Sequence, residues 1–250
     1  MTEYVPTQNS IYQQHSPAMD RSLSLTDREE DCQPRLTTST TRVASLAMER
    51  SKTVFVDIET GSLEPDAPII EYAAVAVESG TYRELDSIDC KVQFDMADAD
   101  PKALGVNKFS PDLWERWAIP EEDAAIKLAL FLKRHATVTI RRDKKKPYRI
   151  AQLAAHNAEF DASRLSAWFK RLDEFFPGTR RALCTEQLAK WFIENRQELS
   201  PPCDYKLGTL ACYFSLQTTP DHSALADTRT SVELARRISS LSRVSLVSAA

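Results

Sequence analysis

Long apolar runs are missing from this chain of 250 residues. No stretch approaches the roughly 18 apolar residues of a membrane-spanning helix, so none is expected. The first residues also lack a charged segment leading into an apolar one, so secretion is not expected either. The five cysteines, at positions 32, 90, 184, 203 and 212, form no CxxC pair and leave an odd one over. That argues against a disulfide framework or a cysteine-held zinc ion, and for reduced thiols in a cytoplasmic protein. Positive charge is not in excess: the net charge of −4 excludes an overall basic coat. A local basic patch could still steer a polyanion, because the local field matters more than the total. Internal repeats are absent as well. The 42% hydrophobic and 27% charged residues are those of a globular protein with ample core.

Character changes along the chain. Residues 1–52 are rich in Ser, Thr, Gln, Pro and Arg without a sustained apolar period, and read as a disordered leader. From 53 the run Thr-Val-Phe-Val-Asp-Ile-Glu-Thr is β-branched and aromatic and is broken at Gly61, which predicts a buried strand. A second strand is predicted at 69–77 and a third at about 82–94, joined through Ser79-Gly80. Connections this short predict antiparallel pairing. A helix is expected from Glu121, behind Pro120, to His135, with Ala125, Leu128 and Leu132 on its apolar stripe. Val138-Thr139-Ile140 and Tyr148-Arg149-Ile150 flank the basic cluster Arg-Arg-Asp-Lys-Lys-Lys at 141–146, which reads as a hairpin tip before a buried strand at 150–155. Further helices are expected near 160–175, 185–197, 206–214 and 224–240, and 241–250 reads as a flexible tail. This order predicts an α/β fold with a mixed β-sheet flanked by helices over 53–240.

Four acids stand out by their placement. Asp57 and Glu59 are two apart on the first strand, so they share a face with Phe55. Two like charges there repel and resist desolvation, and a divalent cation would offset them. Asp161, Leu165, Trp168 and Leu172 fall on one helical stripe, as do Asp227, Ser231, Leu234 and Ile238. Both stripes carry the aspartate near the helix start, where the helix dipole favours it. His222 lies five residues before Asp227, on a loop behind Pro220 from which both could reach one centre. Each feature alone has a plain explanation: a solvated strand end, a dipole-stabilising acid, an incidental loop histidine. Their order and common inward placement point to a shared site.

Asp57-Ile58-Glu59-Thr60, His156-Asn157-Ala158-Glu159-Phe160-Asp161 and His222-Ser223-Ala224-Leu225-Ala226-Asp227 resemble the three motifs of the DEDDh (DnaQ-like) 3′–5′ exonucleases. The resemblance extends through Ile69-Ile70-Glu71-Tyr72-Ala73-Ala74-Val75 and Tyr205-Lys206-Leu207-Gly208-Thr209-Leu210, over about 53–240. It departs where Gly61 and Ser62 replace the family's frequent Thr-Gly, and where 136–149 is longer than the usual link. It implies a ribonuclease H-like fold and two Mg²⁺ or Mn²⁺ ions held by Asp57, Glu59, Asp161 and Asp227. By analogy Asp57 would be shared by both ions, Glu59 and Asp227 would serve the first, and Asp161 the second. His222 would be the general base, and nucleoside 5′-monophosphates would leave from a 3′ end. Thr60, Gly61, Leu63, Asn157 and Phe160 would meet the substrate, Leu63 as a wedge between terminal bases. DNA with single-stranded or frayed ends is the first expectation. An RNA- or oligonucleotide-specific exoribonuclease and a polymerase- or nuclease-associated binding subunit are the alternatives. A homodimer is compatible with the family, and no membrane partner is expected.

Overall fold

Strand β1 (Lys52–Thr60) uses the alternation of its sequence to separate two chemistries. In the computed structural model, which describes residues 51–141, 143 and 145–247, Val54, Val56 and Ile58 enter the largest core cluster, while Phe55 packs on the opposite face. Next come β2 (Ile69–Glu78) and β3 (Glu84–Lys91), followed by a short 3₁₀ turn (Met96–Asp98). Helices α1 (Pro101–Val106), α2 (Pro111–Trp117) and α3 (Glu121–Arg134) lead to the small strands β4 (Val138–Ile140) and β5 (Tyr148–Ile150). Then follow β6 (Gln152–Ala155), α4 (Ala158–Arg171), β7 (Leu183–Cys184), α5 (Thr185–Glu194), α6 (Leu207–Tyr213) and α7 (Ala224–Val247).

The main sheet has five strands in the order β3-β2-β1-β6-β7. β1 and β2 pair antiparallel, as do β2 and β3, whereas β1–β6 and β6–β7 are parallel. The sheet is therefore mixed and flanked by helices, as its sequence pattern predicts. Every residue of β2 is buried, which fits a strand paired on both edges and covered on both faces. One face of the sheet packs against Leu128, Leu132, Leu165 and Trp168 of α3 and α4. The other receives Val232 and Ala235 of α7, and α5 and α6 join α7 around Phe192, Leu210, Leu234 and Ile238. Acids fill the first turn of α3 and bases its last, matching the helix dipole.

Three features differ from expectation. Helices α1 and α2 occupy a stretch with no predicted element; each has a proline in its first turn behind Asp100 or Ser110. Helix α7 does not stop at 240 but continues to Val247. Leu241 packs on the α5–α6–α7 cluster and Ser242 Oγ donates to Ile238 O at 2.9 Å, so seven of the expected tail residues are helical. The leader expected at 1–52 lies outside the described residues except for Ser51 and Lys52, and Lys52 already belongs to β1. No described helix is long and apolar enough to cross a membrane.

Candidate active site

Three carboxylates converge where β1 ends. One oxygen each from Asp57, Glu59 and Asp227 lies within 4.8 Å of the others. Strand alternation puts Asp57 and Glu59 on the face that α7 covers, and Asp227 sits in the first turn of α7. The fourth acid, Asp161, arrives on the first turn of α4 and is 2% exposed. Its Oδ1 accepts the Ile58 N–H at 3.2 Å, which fixes it between the two acids of β1. The structure thus brings together the four acids that the sequence singles out.

Their electrostatics are those of a site short of positive charge. Burial pushes the Asp57 carboxyl well above the usual carboxylate range, and the charges of Asp161, Glu59 and Asp227 add to it. Glu59 is pushed up to about 8 by burial, then by Asp227 and Glu71. Asp161 is raised by burial, against the lowering effect of the Ile58 N–H. Burial also raises Asp227, while the Asp221 N–H, donating to its Oδ1 at 2.9 Å, pulls the other way. The two nearby lysines are engaged elsewhere. Lys91 Nζ pairs with Glu71 at 3.1 Å and Lys108 Nζ with Asp221 at 3.2 Å. Oxygen donors crowded in this way suit a hard divalent cation, which would lower every one of these pKa values at once.

His222 lies on the loop before α7 in the left-handed conformation, with φ 61°, and is exposed beside Asp227, whose carboxylate its backbone N–H stabilises. The histidine of the second motif has a different job. His156 bonds through Nδ1 to Thr185 Oγ1 at 2.9 Å and through Nε2 to Tyr205 O at 3.0 Å, tying the end of β6 to α5 and to the loop before α6. Burial lowers its pKa.

The expected substrate-contact residues divide into two groups. Thr60 is buried; its hydroxyl donates to Ser62 O at 2.7 Å and its carbonyl accepts from Asn107 Nδ2 at 3.0 Å. Gly61 donates to Pro68 O at 2.8 Å and accepts from Asp100 N at 2.7 Å. A Cβ there would come within 3.0 Å of Pro68 Cγ, so close approach is one reason for glycine. These two positions are used inside the fold. Leu63, by contrast, is 83% exposed, and Asn157 is exposed in the left-handed conformation (φ 58°, ψ 50°) where β6 turns into α4. Phe160 is half-buried against the main core.

Arg164, Lys108, Asp221 and Glu71 were not among the expected site residues. The Arg164 guanidinium lies 4.3 Å from the centre of the Phe160 ring and donates to Leu63 O at 2.6 Å and Glu64 O at 2.5 Å. It ties the loop bearing Leu63 to α4. Glu71 faces Glu59 across β1 and β2 as its direct register partner. Only the pairing rule for adjacent strands could have revealed that neighbour from sequence.

The arrangement of a mixed five-stranded sheet with acids at the end of its central strand defines a ribonuclease H-like fold, and solved structures agree. The chain is similar to zinc-bound E. coli exonuclease I complexed with single-stranded DNA (15% identity, TM-score 0.60, 77% of this chain, 41% of that one). It also resembles E. coli exonuclease I with a dT13 oligonucleotide (15%, 0.57, 74% and 40%) and exonuclease I from Methylocaldum szegediense (14%, 0.58, 75% and 40%). It spans about two-fifths of the length of these proteins. No curated protein matches it. Residues 127–235 match the model of the RNase T family, described as exonuclease. Asp161, His222 and Asp227 fall inside the match, while Asp57 and Glu59 precede it.

Proposed function

We propose that the chain is a metal-dependent 3′–5′ exonuclease acting on single-stranded or frayed DNA ends. The observation that carries this reading is the meeting of Asp57, Glu59 and Asp227 oxygens within 4.8 Å, with Asp161 held beside them by the Ile58 N–H. Asp57, Glu59, Asp161 and Asp227 would hold two Mg²⁺ or Mn²⁺ ions. When bound, the ions supply positive charge to the attacking and leaving oxygens of the phosphodiester. His222 takes a proton from the attacking water, which its exposed loop position beside Asp227 permits. The water oxygen joins phosphorus, the P–O3′ bond breaks and the 3′ oxygen of the shortened strand gains a proton. A nucleoside 5′-monophosphate is released. Leu63 projects from the loop held by Arg164, in a position to separate the terminal base from its neighbour. The exonuclease I structures with single-stranded DNA and with dT13 support DNA as the substrate.

Replacing His222 and Asp227 separately tests these roles. His222→Ala should keep Mn²⁺ binding, read by calorimetry, while turnover falls about 10²–10⁴-fold. Asp227→Ala should lose both together. Near-normal nuclease activity in Asp227→Ala would refute the site.

A further inference from the structure

The strongest basic segment of this acidic chain is not at the carboxylate site. Strand β6 runs parallel to β1 with Gln152 level with Thr53, so β5, which precedes it, lies at the end of the sheet opposite Glu59. The β4–β5 hairpin is a separate two-stranded sheet, and its turn carries Arg141, Lys145 and Lys146, all exposed. At its base a hollow of about 530 Å³ opens between the hairpin and the C-terminal half of α4. Tyr148 and Phe175 line it, their rings edge to face at 5.6 Å, and Phe175 is 52% exposed. Lys170 and Arg180 stand at its rim. Five cations thus meet three carboxylates, Asp143 at the turn and Asp173 and Glu174 in the hollow. Among the described residues none of the five cations is held in an ion pair.

We propose that this hairpin and hollow form a second binding surface for single-stranded nucleic acid, engaging the strand several nucleotides from the end being cut. The inference rests on the nuclease reading and extends its substrate to longer strands. Exposed aromatic rings among cations are the means by which proteins hold single strands without reading sequence: bases stack and phosphates pair. The route between the two places is open to a polyanion. Helix α4 starts at the site and ends at the hollow, and after Asp161 it carries no acid, presenting Ser163, Arg164, Ser166 and Lys170. From Asp161 to Lys170 is nine residues, about 14 Å of helix. At about 3.4 Å per stacked nucleotide that is roughly four nucleotides. A dinucleotide at the site would not reach the hairpin.

The test uses the full chain, Arg141→Gln/Lys145→Gln/Lys146→Gln as one variant and Phe175→Ala as another. Anisotropy of a 5′-labelled dT strand of about 15 nucleotides, the upper range of single-strand site sizes, reports binding with metal chelated. The triple variant should lower the slope of log K against log salt by about two. Phe175→Ala should weaken binding about tenfold. With Mg²⁺, turnover of a dinucleotide should be unchanged in both variants, while KM for the long strand rises. Long-strand binding equal to the parent protein, or dinucleotide turnover lost in step, overturns the proposal. Displacement of the strand by an equimolar polyglutamate peptide would also overturn it, assigning the surface to an acidic protein partner. The two readings fail separately. Charge-dependent strand binding without hydrolysis in Mg²⁺ or Mn²⁺ removes the nuclease reading. Hydrolysis with unaltered variants removes only the second surface.

Discussion

Raising the pH without a divalent ion should weaken this protein, and adding the ion should reverse the loss. Glu59 is held up to about 8 from an ordinary 4.5, and Asp57, Asp161 and Asp227 are raised as well. A carboxyl with a raised folded pKa keeps its proton in the fold after the unfolded chain has lost it. Its contribution is full below about pH 4.5 and is lost as pH rises through about 8. Each retained proton changes stability by about 1.4 kcal/mol per pH unit. Counting one proton at full weight, or at half for water entering the cleft, gives about 1.4–2.7 kcal/mol between pH 6 and 8. For a domain of this size that lowers Tm by about 3–11 °C. A divalent ion at about 100 times its Kd should restore about 2.7 kcal/mol, or about 5–11 °C. The increment should be larger at pH 8 than at pH 6, because binding displaces protons. Thermal melts in chelator and in Mn²⁺ across pH 6–8 measure both effects. Asp57→Asn/Glu59→Gln should flatten the chelator profile and remove the metal increment. A Tm in chelator that stays level or rises with pH, with no metal increment, would refute the reasoning.

Two further variants follow from contacts made across the fold. Arg164→Ala frees the carbonyls of Leu63 and Glu64, so KM for a DNA strand should rise about tenfold with Mn²⁺ affinity unchanged, and Arg164→Lys should rescue it only in part because one ammonium cannot span both carbonyls. Lys91→Met strands the buried Glu71 carboxylate beside Glu59 and should cost about 1–3 kcal/mol in urea unfolding, and Glu71→Gln in the same chain should recover most of it.

Much of this site is legible in sequence because it depends on local periodicity. Alternation along β1 places Asp57 with Glu59, and helical spacing places Asp161 with Leu165 and Trp168, all three buried. Three ordered motifs then give the order of elements around the centre. Contacts between distant segments are not legible in this way. Arg164 meets the Leu63 loop across about a hundred residues of chain, and Lys108 reaches Asp221 across a comparable gap. Helices α1 and α2, of six and seven residues, are too short to show a stripe, although Asp100-Pro101 and Ser110-Pro111 are readable start signals. Strand β7 has two residues and exists only through its pairing with β6. The basic hairpin is readable as a hairpin. Its position at the far end of the sheet emerges only from the parallel register of Thr53 with Gln152.

The most direct measurement is a time course in Mg²⁺ on an equimolar mixture of 5′-labelled single-stranded DNA and RNA of one sequence, carrying distinguishable dyes. The account predicts stepwise shortening from the 3′ end with release of nucleoside 5′-monophosphates, faster for the DNA dye, and none with Asp57→Asn. Intact strands of both kinds, with Mn²⁺ also supplied, would contradict it.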